Sequence, residues 1–137
     1  MSGSRLRFAG IACLLALAAC TAAAPALRSA AQARAAAQAD LASAYSSQGA
    51  PRLVSLEQTT FARAAQLLGL PAVNLQEKVW LGLWYNDAWQ LLWFSSLTAP
   101  APTFRGCIAV IVNADDGTLM DLRGPVRPGV RVECDPP

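Results

Sequence analysis

Residues 77–96 read EKVWLGLWYNDAWQLLWFSS and hold all four tryptophans of this 137-residue chain. Aromatic and aliphatic content of this kind favours strands. Asn86-Asp87, set between two apolar runs, is a turn signal. Together they predict a hairpin in which Trp84 faces Trp89 and Trp80 faces Trp93, two cross-strand pairs on one face. The other face carries Val79, Leu81, Leu83, Tyr85, Leu92 and Phe94. A strand pair that is apolar on both faces must be covered on both, or must reserve one face for a partner. This requirement constrains the fold more than any other feature of the chain.

The flanking segments supply candidate partners. Arg52 to Leu56 suits a short strand or lead-in. Thr59 or Thr60 can cap a helix through its hydroxyl, and Phe61, Ala64, Ala65 and Leu68 then form one apolar stripe. Gly69 and Pro71 end that helix, which is expected over 60–68. Pro100 and Pro102 place a loop over 97–103. Gly106 to Asn113 reads as a strand, Asp115-Asp116-Gly117 as a turn and Thr118 to Arg123 as the returning strand. A three-residue loop with Gly117 left-handed pairs Val112 with Met120 and Val110 with Leu122, the register that best matches apolar positions. Val130 to Cys134 is expected to add a last short strand. The predicted class is α+β: a small antiparallel sheet of three to five strands packed against one helix, spanning residues 52–137.

The start of the chain is read as an address. Arg5 and Arg7 precede an apolar run from Phe8 to Ala19, too short for a bilayer span but suited to an export signal. The run ends in Leu17-Ala18-Ala19-Cys20, which resembles the lipobox of bacterial lipoproteins. That resemblance implies cleavage of residues 1–19, lipid on Cys20, and a protein anchored to a membrane of the bacterial cell envelope, outside the cytoplasm, without crossing it. An ordinary secretory signal cut within Ala22-Ala23-Ala24 is the alternative. Formal charge is +2, from 11 basic and 9 acidic residues. Loss of Arg5 and Arg7 makes the mature chain neutral, which argues against nucleic-acid partners and a polybasic membrane role.

Residues 20–51 are then the stretch between anchor and domain. Fourteen of the thirty residues from Thr21 to Ala50 are alanine. Alanine's helix propensity predicts a helix over about residues 26–46. With only Leu27, Leu41 and Tyr45 as large apolar residues, it reads as a spacer; the alternative is that its alanines pack on the domain behind it. Cys13 leaves with the signal and Cys20 goes to lipid. Cys107 and Cys134 remain, and an oxidising compartment makes them a disulfide. A redox pair and two separate buried thiols are the competing readings.

Candidate chemistry is sparse. The chain contains no histidine, so histidine general-base and histidine metal sites are excluded. Asp115 and Asp116 lack the alternating acidic spacing of a calcium loop and read as turn residues. Nothing in the spacing of Glu77, Asp87, Asp121 and Glu133 joins two into a hydrolytic pair. No catalytic residue, metal or cofactor is expected. The tryptophan face, Trp80, Trp84, Trp89 and Trp93, is the candidate binding surface: an aromatic platform for a peptide, glycan or protein. Its competing reading is core beneath the Phe61/Ala64/Ala65/Leu68 stripe.

The order of helix, tryptophan-bearing strands, Cys107-Ile108-Ala109-Val110-Ile111-Val112-Asn113-Ala114-Asp115-Asp116-Gly117 and a second strand resembles the PepSY-like families. These small extracytoplasmic domains also occur in peptidase propeptides. Their signature is a hydrophobic strand running into Asp-Ala-x-Thr-Gly. Ala114 and Gly117 match it, while Asn113 stands for the Asp and Asp116 for the Thr. The resemblance covers residues 53–123. It implies an antiparallel sheet on one helix, no enzyme activity, and binding or inhibition of peptidases or other envelope partners. The expected function is therefore a membrane-anchored, non-catalytic binding or inhibitory module. The alternative is a structural envelope protein that assembles through an apolar sheet face.

Overall fold

A computed structural model describes residues 28–71, 73–92, 101–126 and 134. The expected signal, Cys20, Trp93 and the strand over 130–133 lie outside the described residues. Helix α1 (Ala30–Ala44) leads into β1 (Tyr45–Ser47), β2 (Arg52–Thr60), α2 (Phe61–Leu67), β3 (Lys78–Leu91), β4 (Thr103–Asn113) and β5 (Leu119–Arg123). The fold is α+β, with a single antiparallel sheet. β3 is its centre: β4 pairs along one edge, while β2 and β1 pair in tandem along the other. β5 closes the β4 side.

The hairpin expectation is corrected. Residues 78–91 form one 14-residue strand, roughly 46 Å long at the usual rise. Asn86-Asp87 makes a bulge in it instead of a turn. Three steps in β3, Asn86 to Trp89, answer two in β4, Gly106 to Phe104. The Asn86 amide oxygen accepts the N–H of Ala88 at 2.8 Å, and its amide NH2 donates to the Gln48 carbonyl at 3.1 Å. Asn is good at such local bonds whether the chain reverses or merely bulges. Partners on both edges keep the strand running straight through.

The bulge also rescues the facial pattern. Strand residues alternate sides, so Trp80 and Trp84 share a face. The extra residue shifts the alternation, which puts Trp89 there too. Trp84 and Trp89 pack with Ile108, Val110 and Val112, and Trp80 packs against the same group. Val79, Leu81 and Leu83 occupy the opposite face, with Ala109 and Ile111.

Each face receives a helix: the expected one on one side, and the Ala-rich helix that precedes the domain on the other. α2 is capped by Thr60, whose hydroxyl accepts the Arg63 N–H, and Gly69 follows it at φ +66°. Ala64 and Leu68 of this segment pack on Val79, Leu81 and Leu83. The stripe therefore covers the aliphatic face, and the tryptophans lie on the other side.

The tryptophan face is covered by α1. Ser29 caps it with a complete capping box: its hydroxyl accepts the Gln32 N–H, and the Gln32 side chain accepts the Ser29 N–H. Ala33, Ala37 and Leu41, one residue per turn, are buried against Trp84, Trp89 and Ile108. Of the two readings of the Ala-rich stretch, close packing on the domain is the one observed from Ser29 onward. Alanine methyls let the helix backbone lie directly on the indoles.

The β4–β5 connection reaches the expected register by another route. Asn113 N–H donates to the Thr118 carbonyl and Gly117, at φ +74°, closes the turn onto Asn113. Val112 pairs with Leu119, not Met120. A bulge at Met120 then restores Ile111 to Asp121 and Val110 to Leu122. Cys107 and Cys134 are disulfide-bonded, with Cα atoms 5.9 Å apart.

Candidate functional site

The tryptophan face does not form an exposed platform. Trp84 is 0% and Trp89 1% exposed, and Trp80 is half-buried. Trp84 and Trp89 are thus core residues, as the competing reading had it, and Trp80 alone of the three keeps an exposed part. Trp80 donates its indole N–H to the Arg28 carbonyl at 3.1 Å, and Trp89 donates to the Gly106 carbonyl at 2.9 Å. The Trp84 indole N–H has no acceptor among the described residues. Buried indoles usually find one, so this is an energetic liability left inside the core.

Trp84 fits because of Gly82. A Cβ at position 82 would stand 2.2 Å from Trp84 Cζ3 and 2.5 Å from Cη2. The indole therefore lies back over the glycine two residues before it, on the same face. Sequence reasoning passed over Gly82, although a glycine inside a strand is a signal of close approach.

What remains open of the aromatic cluster is a cleft of about 220 Å³ between α1 and the β1–β2 junction. Gln38, Leu41, Tyr45, Pro51, Trp84 and Trp89 line it. Tyr45 stands edge-on to Trp89, at 6.1 Å between centroids, and to Phe104 at 5.9 Å. Burial pushes the Tyr45 phenol up from its ordinary pKa. The cleft suits a single apolar side chain better than an extended ligand.

A second group sits at the far end of the other face. The Tyr85 ring is flanked by Arg52 and Arg105, whose guanidinium carbons lie 5.5 and 5.9 Å from its centroid. Arg105 Nε donates to the Tyr85 hydroxyl, which in turn donates to Asp87 at 2.8 Å. Arg105 also pairs with Asp87 at 3.2 Å. Both charged side chains are well exposed, so the pair contributes little to stability.

Asp116 and Asp121 serve local structure. Asp116 accepts the Thr118 N–H at 2.8 Å and the Thr118 hydroxyl at 2.7 Å. These bonds, the backbone one first, hold its carboxyl below the usual carboxylate range. Asn113 accepts the Asp115 N–H at 2.8 Å. Asp121 pairs with Arg123 at 2.9 Å. Among the described residues, no three His, Cys, Asp or Glu side chains come together as a metal site. No described helix is long and apolar enough to cross a membrane. No family model, curated protein or solved structure matches the chain.

Proposed function

We propose that this chain is a lipoprotein of the bacterial cell envelope, anchored through lipid on Cys20, whose small α+β domain binds or inhibits a peptidase or another envelope protein without catalysis. The observation that carries this reading is Leu17-Ala18-Ala19-Cys20 placed eight positions ahead of Arg28, where the described fold begins. The lipobox-like sequence stands behind a basic start and an apolar run of export-signal length. The binding half of the reading rests on the PepSY-like run from Cys107 to Gly117, which ends β4 and turns into β5. Assembly through an apolar sheet face has less support, since among the described residues α1 packs on one face and α2 on the other.

Two measurements test the proposal. Mass spectrometry of the membrane-extracted protein should give an N-terminal peptide starting at Cys20 and carrying acyl mass. A Cys20→Ala variant that remains equally membrane-bound refutes the anchor. Purified mature chain titrated into the proteolytic activity of an envelope extract should produce a saturable loss at a fixed ratio. No loss at any ratio removes the peptidase-directed role.

A further inference from the structure

We propose that the end of the sheet nearest the anchor rests on the lipid surface, with Leu75 and Leu119 as the contact residues. This rests on the reading of Cys20 as the lipid-bearing residue. Arg28, the first described residue, donates its N–H to the Ala114 carbonyl at 2.7 Å and accepts the Trp80 indole N–H on its carbonyl. Ala114 follows β4, so the entry point is the end of the sheet where β4 turns into β5. The same end holds the Thr60–Lys78 and Val79–Asn113 pairs and the start of α2. Eight positions separate Cys20 from Arg28, a reach of at most about 28 Å when fully extended. A lipid on Cys20 therefore keeps this end of the sheet close to the bilayer.

Among the described residues, exposed large apolar side chains are distributed accordingly. Leu75 is 44% and Leu119 45% exposed. The Leu75 carbonyl accepts the Ala62 N–H in the first turn of α2, which fixes it on the α2 side of this end. Leu119 pairs with Val112, whose side chain belongs to the α1 side. The two leucines thus flank the entry end, one on each side of the sheet, and Val73 stands exposed beside the first. Leu92, 52% exposed, marks the opposite end: its N–H donates to the Ala44 carbonyl at the last turn of α1. Charge near the entry end is balanced, with Arg28, Arg63 and Lys78 against Glu77, Asp115 and Asp116. Apolar contact, not attraction to anionic headgroups, is the interaction this surface supports.

The test uses the full-length lipidated protein in phosphatidylcholine vesicles. Leu75→Cys, Leu119→Cys and Leu92→Cys are each labelled with nitrobenzoxadiazole, and nitroxide-bearing phosphatidylcholine serves as quencher. Circular dichroism equal to the parent qualifies each variant, and Val73→Cys replaces Leu75→Cys should that chain misfold. Labels at 75 and 119 should shift to the blue and lose emission to the nitroxide lipid, while the label at 92 does neither. Adding Leu119→Glu should relieve quenching at 75 while flotation persists. Vesicle flotation with equal quenching at all three sites, or with none, overturns the proposal and leaves the anchor reading standing. So does quenching that develops only after phosphatidylglycerol is added. Failure of the parent protein to float overturns the anchor reading and this proposal with it.

Discussion

Gly82→Ala offers a sharp test of how the core is built. Considered alone, alanine inside a strand gains about 0.5–1 kcal/mol over glycine, through the entropy that glycine loses on folding. Here the added methyl would fall 2.2 Å from Trp84 Cζ3, 2.5 Å from Cη2 and 3.3 Å from Cε3. Carbon atoms prefer about 3.5–4.0 Å, so the ring has to retreat by roughly 1.3 Å. Trp84 is fully buried with Ala33, Ala37, Ile108 and Val110, so a retreat of the ring disturbs these neighbours or pushes it toward the cleft it lines. Overpacking of this kind costs about 1–3 kcal/mol. Gly82→Ala should therefore lower stability by about 0–2.5 kcal/mol once the entropic gain is counted.

The control is the same substitution in a Trp84→Leu background, where the methyl meets no indole. There Gly82→Ala should raise stability, so the two changes are strongly coupled. Urea unfolding followed by far-UV circular dichroism measures all four corners of the cycle. Equal effects of Gly82→Ala in both backgrounds would refute the close approach of ring to backbone.

Three further outcomes are expected. Ala37→Leu should cost about 1–3 kcal/mol by overpacking α1 against the indoles, whereas Ala35→Leu, on the exposed side of the same helix, should stay within about 0.5 kcal/mol; equal urea midpoints for the two variants would restore the spacer reading. Reduction of the Cys107–Cys134 bond, which joins positions 27 residues apart, should remove about 3–4 kcal/mol through added freedom of the unfolded chain, read as a fall in urea midpoint with dithiothreitol that a Cys107→Ala/Cys134→Ala variant does not show. Asp116 has a folded pKa below its ordinary value of 3.8, so its contribution is complete above the unfolded pKa and is lost as pH falls through the folded one. The stability gap between the parent and Asp116→Asn should accordingly shrink as pH drops below that range; a gap that widens toward acid would refute the depressed pKa.

Much of the fold was legible where a residue's own chemistry settles local structure. Thr60 as cap, the Phe61 to Leu68 stripe, the β4 run and left-handed Gly117 all act within a few positions. Trp80, Trp84 and Trp89 also share a face as the pattern requires. What misled was Asn86-Asp87, because the Asn86 side chain bonds Ala88 in the same local way in a bulge as it would in a turn. Only the availability of partners on both edges of β3 decides between them, and that is a property of the whole sheet. The offset at Met120 is similar: a longer loop and a bulge cancel, so the register survives while the loop length does not. The candidate site fared worse, since a face rich in tryptophan is equally suited to binding or to burial.

Burial was settled by residues that carry almost no signal of their own. A stripe of leucines on α1 would have declared a packing face; a helix with nine alanines in fifteen residues and Leu41 as its one large apolar side chain declares none. Yet that smallness is what the tryptophan face needs. Trp84 and Trp89 fill the layer between sheet and helix, and Gly82 beneath and Ala33 and Ala37 above leave the volume they occupy. Bulk is placed on the strand and withdrawn from the helix. Neither half is interpretable without the other: the strand alone looks like an exposed aromatic platform, and the helix alone looks like a tether. Joined, they make one packed layer, with the Tyr45–Pro51 cleft opening beside it among the described residues.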